Sequence, residues 1–213
     1  MILEIMQRAE KRIPHIVISR LPVYLRALRL METQGKPYTS SQELAAWLGC
    51  TPAQIRKDLS HFGEFGKQGT GYSVNGLQKH LRNILHLNSE WPVIVVGTGH
   101  IGSAIANYTG FAERGFRVVA VFDNDPIKIG SQVGQFVVRD VAEVAAFVSE
   151  QPIRHAMLSV PADAAQSVAD LLIKNGINAI LNYAPVHLTC PPSVQVEYID
   201  PVLHLQVMTY SVG

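Results

Sequence analysis

The sequence predicts an α/β protein in two parts, a small helical unit followed by a doubly wound parallel sheet. Three observations predict it. Two short helical patterns are joined by about three residues that include Gly49. A β-forming run breaks into the glycine turn "VVGTGHIG" and resumes as a helix. Strand and helix patterns then alternate towards the end of the chain, which is the signature of a parallel sheet. Charge divides at the same place: residues 1–89 hold 12 Lys and Arg against 6 Asp and Glu, and residues 90–213 hold 6 against 11. A basic part fused to an acidic part implies that the first meets a polyanion and the second does not. The domains are therefore placed at 1–89 and 90–213.

Bulk properties narrow the class. Of the 213 residues 47% are hydrophobic, so a sizeable core is available, yet no apolar run is long enough to span a membrane. The start "MILEIMQRAEKRIPH" lacks a secretory pattern and reads as an amphipathic helix or a loose arm. Cys50 and Cys190 are isolated, without metal-ligand spacing. A reducing cytoplasm is the expected compartment and no metal is expected; Cys50 is read as a small apolar residue in a tight turn, with a thiol switch as the lesser alternative.

From residue 15 to 34, Ile16, Leu21, Leu25, Leu28 and Met31 recur at helical spacing. Pro14 and Pro22 place the regular start near Leu21, and Gly35 and Pro37 end it. In "SSQELAAWLG" Ser40 and Glu43 form a capping box, Leu44, Ala45 and Leu48 face inward, and Gly49 stops the helix. Thr51, Pro52 and Gln54 start the next one: a capping hydroxyl, a proline at the first helical position and a reciprocal amide. Two short helices so joined form a helix-turn-helix. On the second, Ile55, Leu59 and Phe62 make a buried stripe, while Ala53, Arg56, Lys57 and Ser60 make an outward one. That face suits base edges and phosphates in a major groove; it also fits an ordinary solvated helix. "EFGKQGTGYSV" (64–74) reads as a hairpin with Lys67 near its tip, a wing set to lie on the phosphate backbone. A helix over Leu77, Leu81, Ile84 and Leu85 follows, and "HLNSEWP" is the junction.

The second part is Rossmann-like. Gly97 permits the tight turn after the first strand, Gly99 lets a pyrophosphate approach the backbone, and Gly102 lets helix and strand pack closely. The helix start offers free N–H groups to phosphates. Asp123 ends the next strand, about twenty residues on, as a dinucleotide site requires. Its carboxylate is expected to accept both adenosine-ribose hydroxyls and to repel a 2′-phosphate, favouring NADH and NAD+ over their phosphorylated forms. A glycine turn that serves packing alone is the competing reading. Further strands at "HAMLSV", "INAILN" and "VQVEYID" bring "SVP" (159–161) and "NYAP" (182–185) to the same edge. Thr98, His100, Ile101, Val160, Pro161, Asn182, Ala184 and Pro185 complete the expected cofactor site. None of these strand ends carries a cationic side chain. No sequence-local acid–base pair serves His187 or Tyr183, so no catalytic residue is assigned.

On "ISRLPVYLRAL", "TSSQELAAWLG", "TPAQIRKDLSHFGEFGKQGTGY", "VVGTGHIGSAIANY", "VFDNDP", "SVP" and "LNYAP", residues 16–200 resemble the Rex family of bacterial redox-sensing transcriptional repressors. The resemblance implies a homodimer that binds palindromic operator DNA when NADH is scarce and is released by NADH, with NAD+ a weak competitor. It puts DNA contacts on Arg56, Lys57, Ser60 and Lys67, joining Thr51, Ala53 and Gln54 at the helix start. It couples cofactor and DNA through Arg26, Tyr108 and Asp200. Family members carry a longer C-terminal helix that exchanges between subunits; here Val202, Leu205 and Val207 in "DPVLHLQVMTYSVG" allow only a short one. Two other readings stay open: an NAD-dependent oxidoreductase with an accessory DNA-binding domain, and a CoA-binding regulatory module.

Overall fold

The computed structural model describes residues 13–66 and 71–212. Contacts divide the chain into two units, Met1–Asn88 and Ser89–Gly213.

In the first unit α1 spans His15–Thr33 and runs through Pro22, where the proline rule placed the start near Leu21. A proline inside a helix costs roughly 3 kcal/mol. Here Pro22 sits on the exposed side, while Val17, Leu21, Tyr24, Leu25 and Leu28 bury the turns on either side of it. Their burial outweighs the lost backbone bond. A two-residue strand β1 (Tyr38–Thr39) leads into α2 (Ser41–Leu48), and Gly49 at φ 66° reverses the chain into α3 (Pro52–Ser60). Both expected caps are half formed. Ser40 and Thr51 accept from the backbone N–H of Glu43 and Gln54 at 3.1 and 3.2 Å. The reciprocal side chains go elsewhere: Glu43 to Lys36 and Thr39, Gln54 to Asp58.

The strand β2 (Tyr72–Ser73) pairs antiparallel with β1, joining Thr39 to Tyr72, and the described residues 61–66 form no strand. The tip of the hairpin expected within residues 64–74 lies outside the described residues. Gly71, at φ 77°, makes the pairing feasible, since a Cβ there would lie 2.4 Å from the Thr39 carbonyl oxygen. Helix α4 (Val74–Ile84) closes the unit with Leu77 and Leu81 on the shared core of Leu21, Leu28, Leu44, Ile55 and Leu59.

The second unit contains β3 (Trp91–Val96), α5 (His100–Ala106), β4 (Phe116–Asp123), β5 (Gln132–Val133), β6 (Phe136–Asp140) and α6 (Val144–Ser149). It continues with β7 (His155–Leu158), α7 (Ala162–Lys174), β8 (Ala179–Asn182), β9 (Gln195–Tyr198) and α8 (Pro201–Val212). The sheet order is β5-β6-β4-β3-β7-β8-β9, parallel except for β5. Strand β3 is buried on both faces, so it reads as an unbroken apolar run. Val93 and Val95 face Ile105 and Ala106, while Ile94 and Val96 face Val148, Ala169 and Leu172. The chain runs outward from β3 on one side and returns to β7 on the other, so a crevice opens at the carboxyl ends of these two strands. No helix among the described residues is long and apolar enough to cross a membrane.

Candidate functional site

Two surfaces carry the expected chemistry. On α3, Ala53, Arg56, Lys57 and Ser60 are exposed together with Thr51 at its cap. Arg56 Nη1 donates to Ser41 Oγ at 3.0 Å, which steadies the guanidinium against α2, and Ser60 Oγ donates to the Lys57 carbonyl at 2.8 Å. Gln54, also expected at the DNA face, turns its amide to Asp58 Oδ1 at 2.9 Å and is half-buried. Lys67 lies outside the described residues.

Beneath that face is a polar network that the sequence reading missed. Asp58 is only 1% exposed. Arg20 donates to both its oxygens, from Nε at 2.6 Å and Nη2 at 2.7 Å, and the Tyr24 hydroxyl donates at 2.6 Å. Burial alone would raise the Asp58 carboxyl, but hydrogen bonds from Arg20, Tyr24 and Gln54 outweigh it and hold the group below the usual carboxylate range. The one signal in the sequence was a carboxylate on the buried side of α3, between Ile55 and Leu59.

The second surface is a cleft of about 580 Å³ at the carboxyl ends of β3 and β7. Gly97, Gly99, His100, Ile101, Asp123, Val160 and Pro161 line it, so most of the expected cofactor residues are brought together. Gly97 sits at φ 94°, and a Cβ on Gly102 would lie 1.8 Å from the Gly97 carbonyl oxygen. A Cβ on Gly99 would meet nothing within 4 Å. The turn is thus closed underneath and open above, the shape that lets an anionic group reach the first turn of α5.

Not every expected cofactor residue offers a free group to the cleft. Asp123 is 5% exposed and its carboxylate belongs to the glycine turn: Oδ2 accepts from Thr98 N and Thr98 Oγ1, each at 2.7 Å. Burial would raise this carboxyl, but the bonds from Thr98, Asp125 N–H and Lys128 hold it well below the ordinary range. Thr98 is itself buried in that contact. Next, Lys128 lines the cleft 3.2 Å from Asp123 Oδ2, so this edge does hold a cation. It lies in the loop after β4, beyond the strand ends themselves. Asn182 uses its amide on its own loop, donating to the Ala184 and Val186 carbonyls and accepting from Ala184 N–H. Finally, neither Asn182, Ala184 nor Pro185 lines the cleft. Ser159, which does, donates to the Gly97 carbonyl at 2.8 Å and was not among the expected residues.

Neither Tyr183 nor His187 lines the cleft; His187 packs its ring 4.6 Å from that of Tyr198. Of the three expected coupling residues, Arg26 belongs to the first unit and Tyr108 and Asp200 to the second. Arg26 is exposed on α1. Tyr108 meets Phe111 edge to face at 5.1 Å, and Asp200 Oδ1 accepts from Val202 N–H at 2.9 Å at the start of α8. That helix is 12 residues long. Val202, Leu203, Leu205, Val207, Met208 and Tyr210 are all exposed along it, Tyr210 by 92%.

Comparisons with known proteins agree with both units. The family described as "Putative DNA-binding protein N-terminus" matches residues 12–60, and that described as "CoA binding domain" matches residues 88–186. The chain is 52% identical over 205 residues to the redox-sensing transcriptional repressor Rex of Chloroflexus aggregans, covering 96% of each. It is 40% identical over 202 residues to the protein of that name from Desulforamulus reducens, covering 95% of this chain and 96% of that one. Among solved structures it resembles RSP in complex with β-NAD+ and operator DNA, at a TM-score of 0.88 and 38% identity, covering 93% of this chain and 92% of that one. RSP in complex with β-NADH gives 0.86 at 36% identity, covering 95% of each.

Proposed function

The chain belongs to the Rex family of redox-sensing transcriptional repressors, and from this we propose that it holds operator DNA when NADH is scarce and lets go when NADH fills the cleft. The observation that carries the reading is one chain with a basic helix-turn-helix and a glycine cradle at the switch point of a parallel sheet. Arg56, Lys57, Ser60, Ala53 and Thr51 are the groups offered to DNA, with Lys67 of the wing. In the cleft, the turn Gly97–Gly102 and the start of α5 hold the pyrophosphate, and Ile101, Val160 and Pro161 supply an apolar flank. The bound nucleotide acts as a signal of redox state, and the protein is a repressor rather than an enzyme.

Reduced and oxidised nucleotide differ by a hydride and by the positive charge of the nicotinamide ring. Desolvating a charged ring against Val160 and Pro161 costs more than desolvating a neutral one. NADH is therefore expected to release operator at lower concentration than NAD+ in a gel-shift titration at fixed salt, with CoA as a third arm. Equal potency of the two nicotinamide forms would overturn this reading. Release by CoA alone would favour the CoA-binding alternative.

Helix α8 supports a homodimer. Its apolar residues have no cover within the described chain, and a second copy supplies an identical helix. A two-fold dimer presents two α3 helices about 34–36 Å apart to a palindromic site. Removing residues 201–213 is expected to give a monomer by sedimentation and to weaken operator binding at least about tenfold, as one of two half-sites is lost. Arg26, Tyr108 and Asp200 are proposed to carry the coupling between cleft and DNA-binding unit, and the compartment is the cytoplasm.

A further inference from the structure

We propose that Asp125, held by Lys128, reads the adenosine ribose in the cleft and excludes a phosphate on its 2′ oxygen, a role the sequence pattern gave to Asp123. The proposal rests on the nucleotide reading above and names the side chains that choose between NADH and NADPH.

Asp123 has no acceptor left to offer. Its Oδ2 takes Thr98 N, Thr98 Oγ1 and Lys128 Nζ, and its Oδ1 takes Asn124 N at 2.9 Å and Asp125 N at 3.0 Å. Five donors exceed the roughly four lone-pair sites of a carboxylate. The group is ionised, buried and committed to shaping the turn that carries Thr98.

Asp125 is placed differently. Its Oδ1 accepts from Ile127 N at 3.0 Å, which fixes the side chain in a tight turn. Its Oδ2 has only the Lys128 ammonium near it among the described residues, at 3.9 Å. The side chain is 37% exposed and lines the same cleft as Gly97 and Gly99. Of the two carboxylates at the end of β4 and in the loop after it, Asp125 is the one with an oxygen open to a hydroxyl donor.

Lys128 lines the cleft too, and a lysine is an ordinary phosphate partner. Here it lies between two carboxylates, so the three groups sum to one negative charge. A ribose 2′-phosphate adds about 1.5 to 2 further negative charges and meets net repulsion. Removing the Asp125 charge brings the cluster to neutrality and frees Lys128 on one side.

The test is direct titration of the intact protein with NADH and with NADPH, for the unaltered chain, Asp125→Asn, and Asp125→Asn combined with Lys128→Met. The unaltered chain is expected to prefer NADH. Asp125→Asn should shrink that preference by about tenfold or more, through weaker NADH and tighter NADPH binding. The added Lys128→Met should abolish the NADPH gain, because the freed ammonium is then missing. A preference unchanged within about twofold in Asp125→Asn, with NADH still bound, overturns the assignment and leaves the nucleotide reading standing. Failure of the unaltered chain to bind NADH removes both.

Discussion

Replacing Asp58 by alanine destabilises the N-terminal unit by about 3 kcal/mol, the lower part of the range for breaking a buried ion pair. Arg20 keeps 27% of its side chain in solvent and recovers some hydration, which places the loss in that lower part. Tyr24, 2% exposed, has no such recourse: its hydroxyl loses the acceptor at 2.6 Å and stays buried. Small domains have only about 5–15 kcal/mol of stability, so the change is large. Urea unfolding followed by tyrosine fluorescence measures it, and a loss under about 1 kcal/mol would remove the network from the account. The sign with pH follows from the direction of the shift. The folded Asp58 carboxyl lies below its unfolded value, so its contribution is complete above about pH 4 and is lost as pH falls through the lower folded value. The alanine variant should therefore lose less stability than the unaltered chain over that acid window. Operator binding falls with it, because Asp58 ties α3, the bearer of Arg56 and Lys57, to α1 through Arg20.

What the sequence made legible was local. The run from β3 through the glycine turn to β4 was readable because each residue's role depends on neighbours within a few positions: Gly97 on its own φ, Gly102 on a carbonyl five residues back, β3 on burial of both faces. The outward stripe of α3 was readable for the same reason. Contacts across long separations were hidden. Asp58 meets Arg20 and Tyr24 from 38 and 34 positions away, and nothing in the spacing of either segment pairs them. Tyr72 pairs with Thr39 across the whole helix-turn-helix, a partner that the local spacing of the glycine-rich stretch does not announce. Pro22 misled because helix rules price the lost backbone bond but not the core beneath it. Asp123 ends β4 as the motif places it, and its bonds to Thr98 were not readable from the spacing. The motif predicts where the carboxylate sits, but not that Thr98 in the turn donates to it twice.

Substituting Gly99 by valine is expected to leave the fold intact and lock the protein on its operator. The backbone there, at φ −67°, accepts any L residue, and a Cβ meets no atom within 4 Å. That open space is part of the cleft, where a side chain occupies the volume an anionic group needs to reach the start of α5. NADH affinity should drop on the order of 100-fold, while thermal unfolding and operator affinity without nucleotide stay within error. A ligand shifts a two-state equilibrium only by its differential affinity for the two states, and near-complete switching requires about 10⁴-fold. A variant that cannot bind NADH at working concentrations thus remains DNA-bound at any redox poise. Gly102→Ala is the necessary contrast. Its Cβ would sit 1.8 Å from the Gly97 carbonyl oxygen and 2.6 Å from Ser159 Oγ, so the turn itself must move. That variant loses nucleotide and about 1–3 kcal/mol of stability together. If Gly99→Val still released operator with NADH as the unaltered chain does, the turn would not be where the nucleotide acts. Release lost with stability unchanged separates a blocked signal from a broken fold.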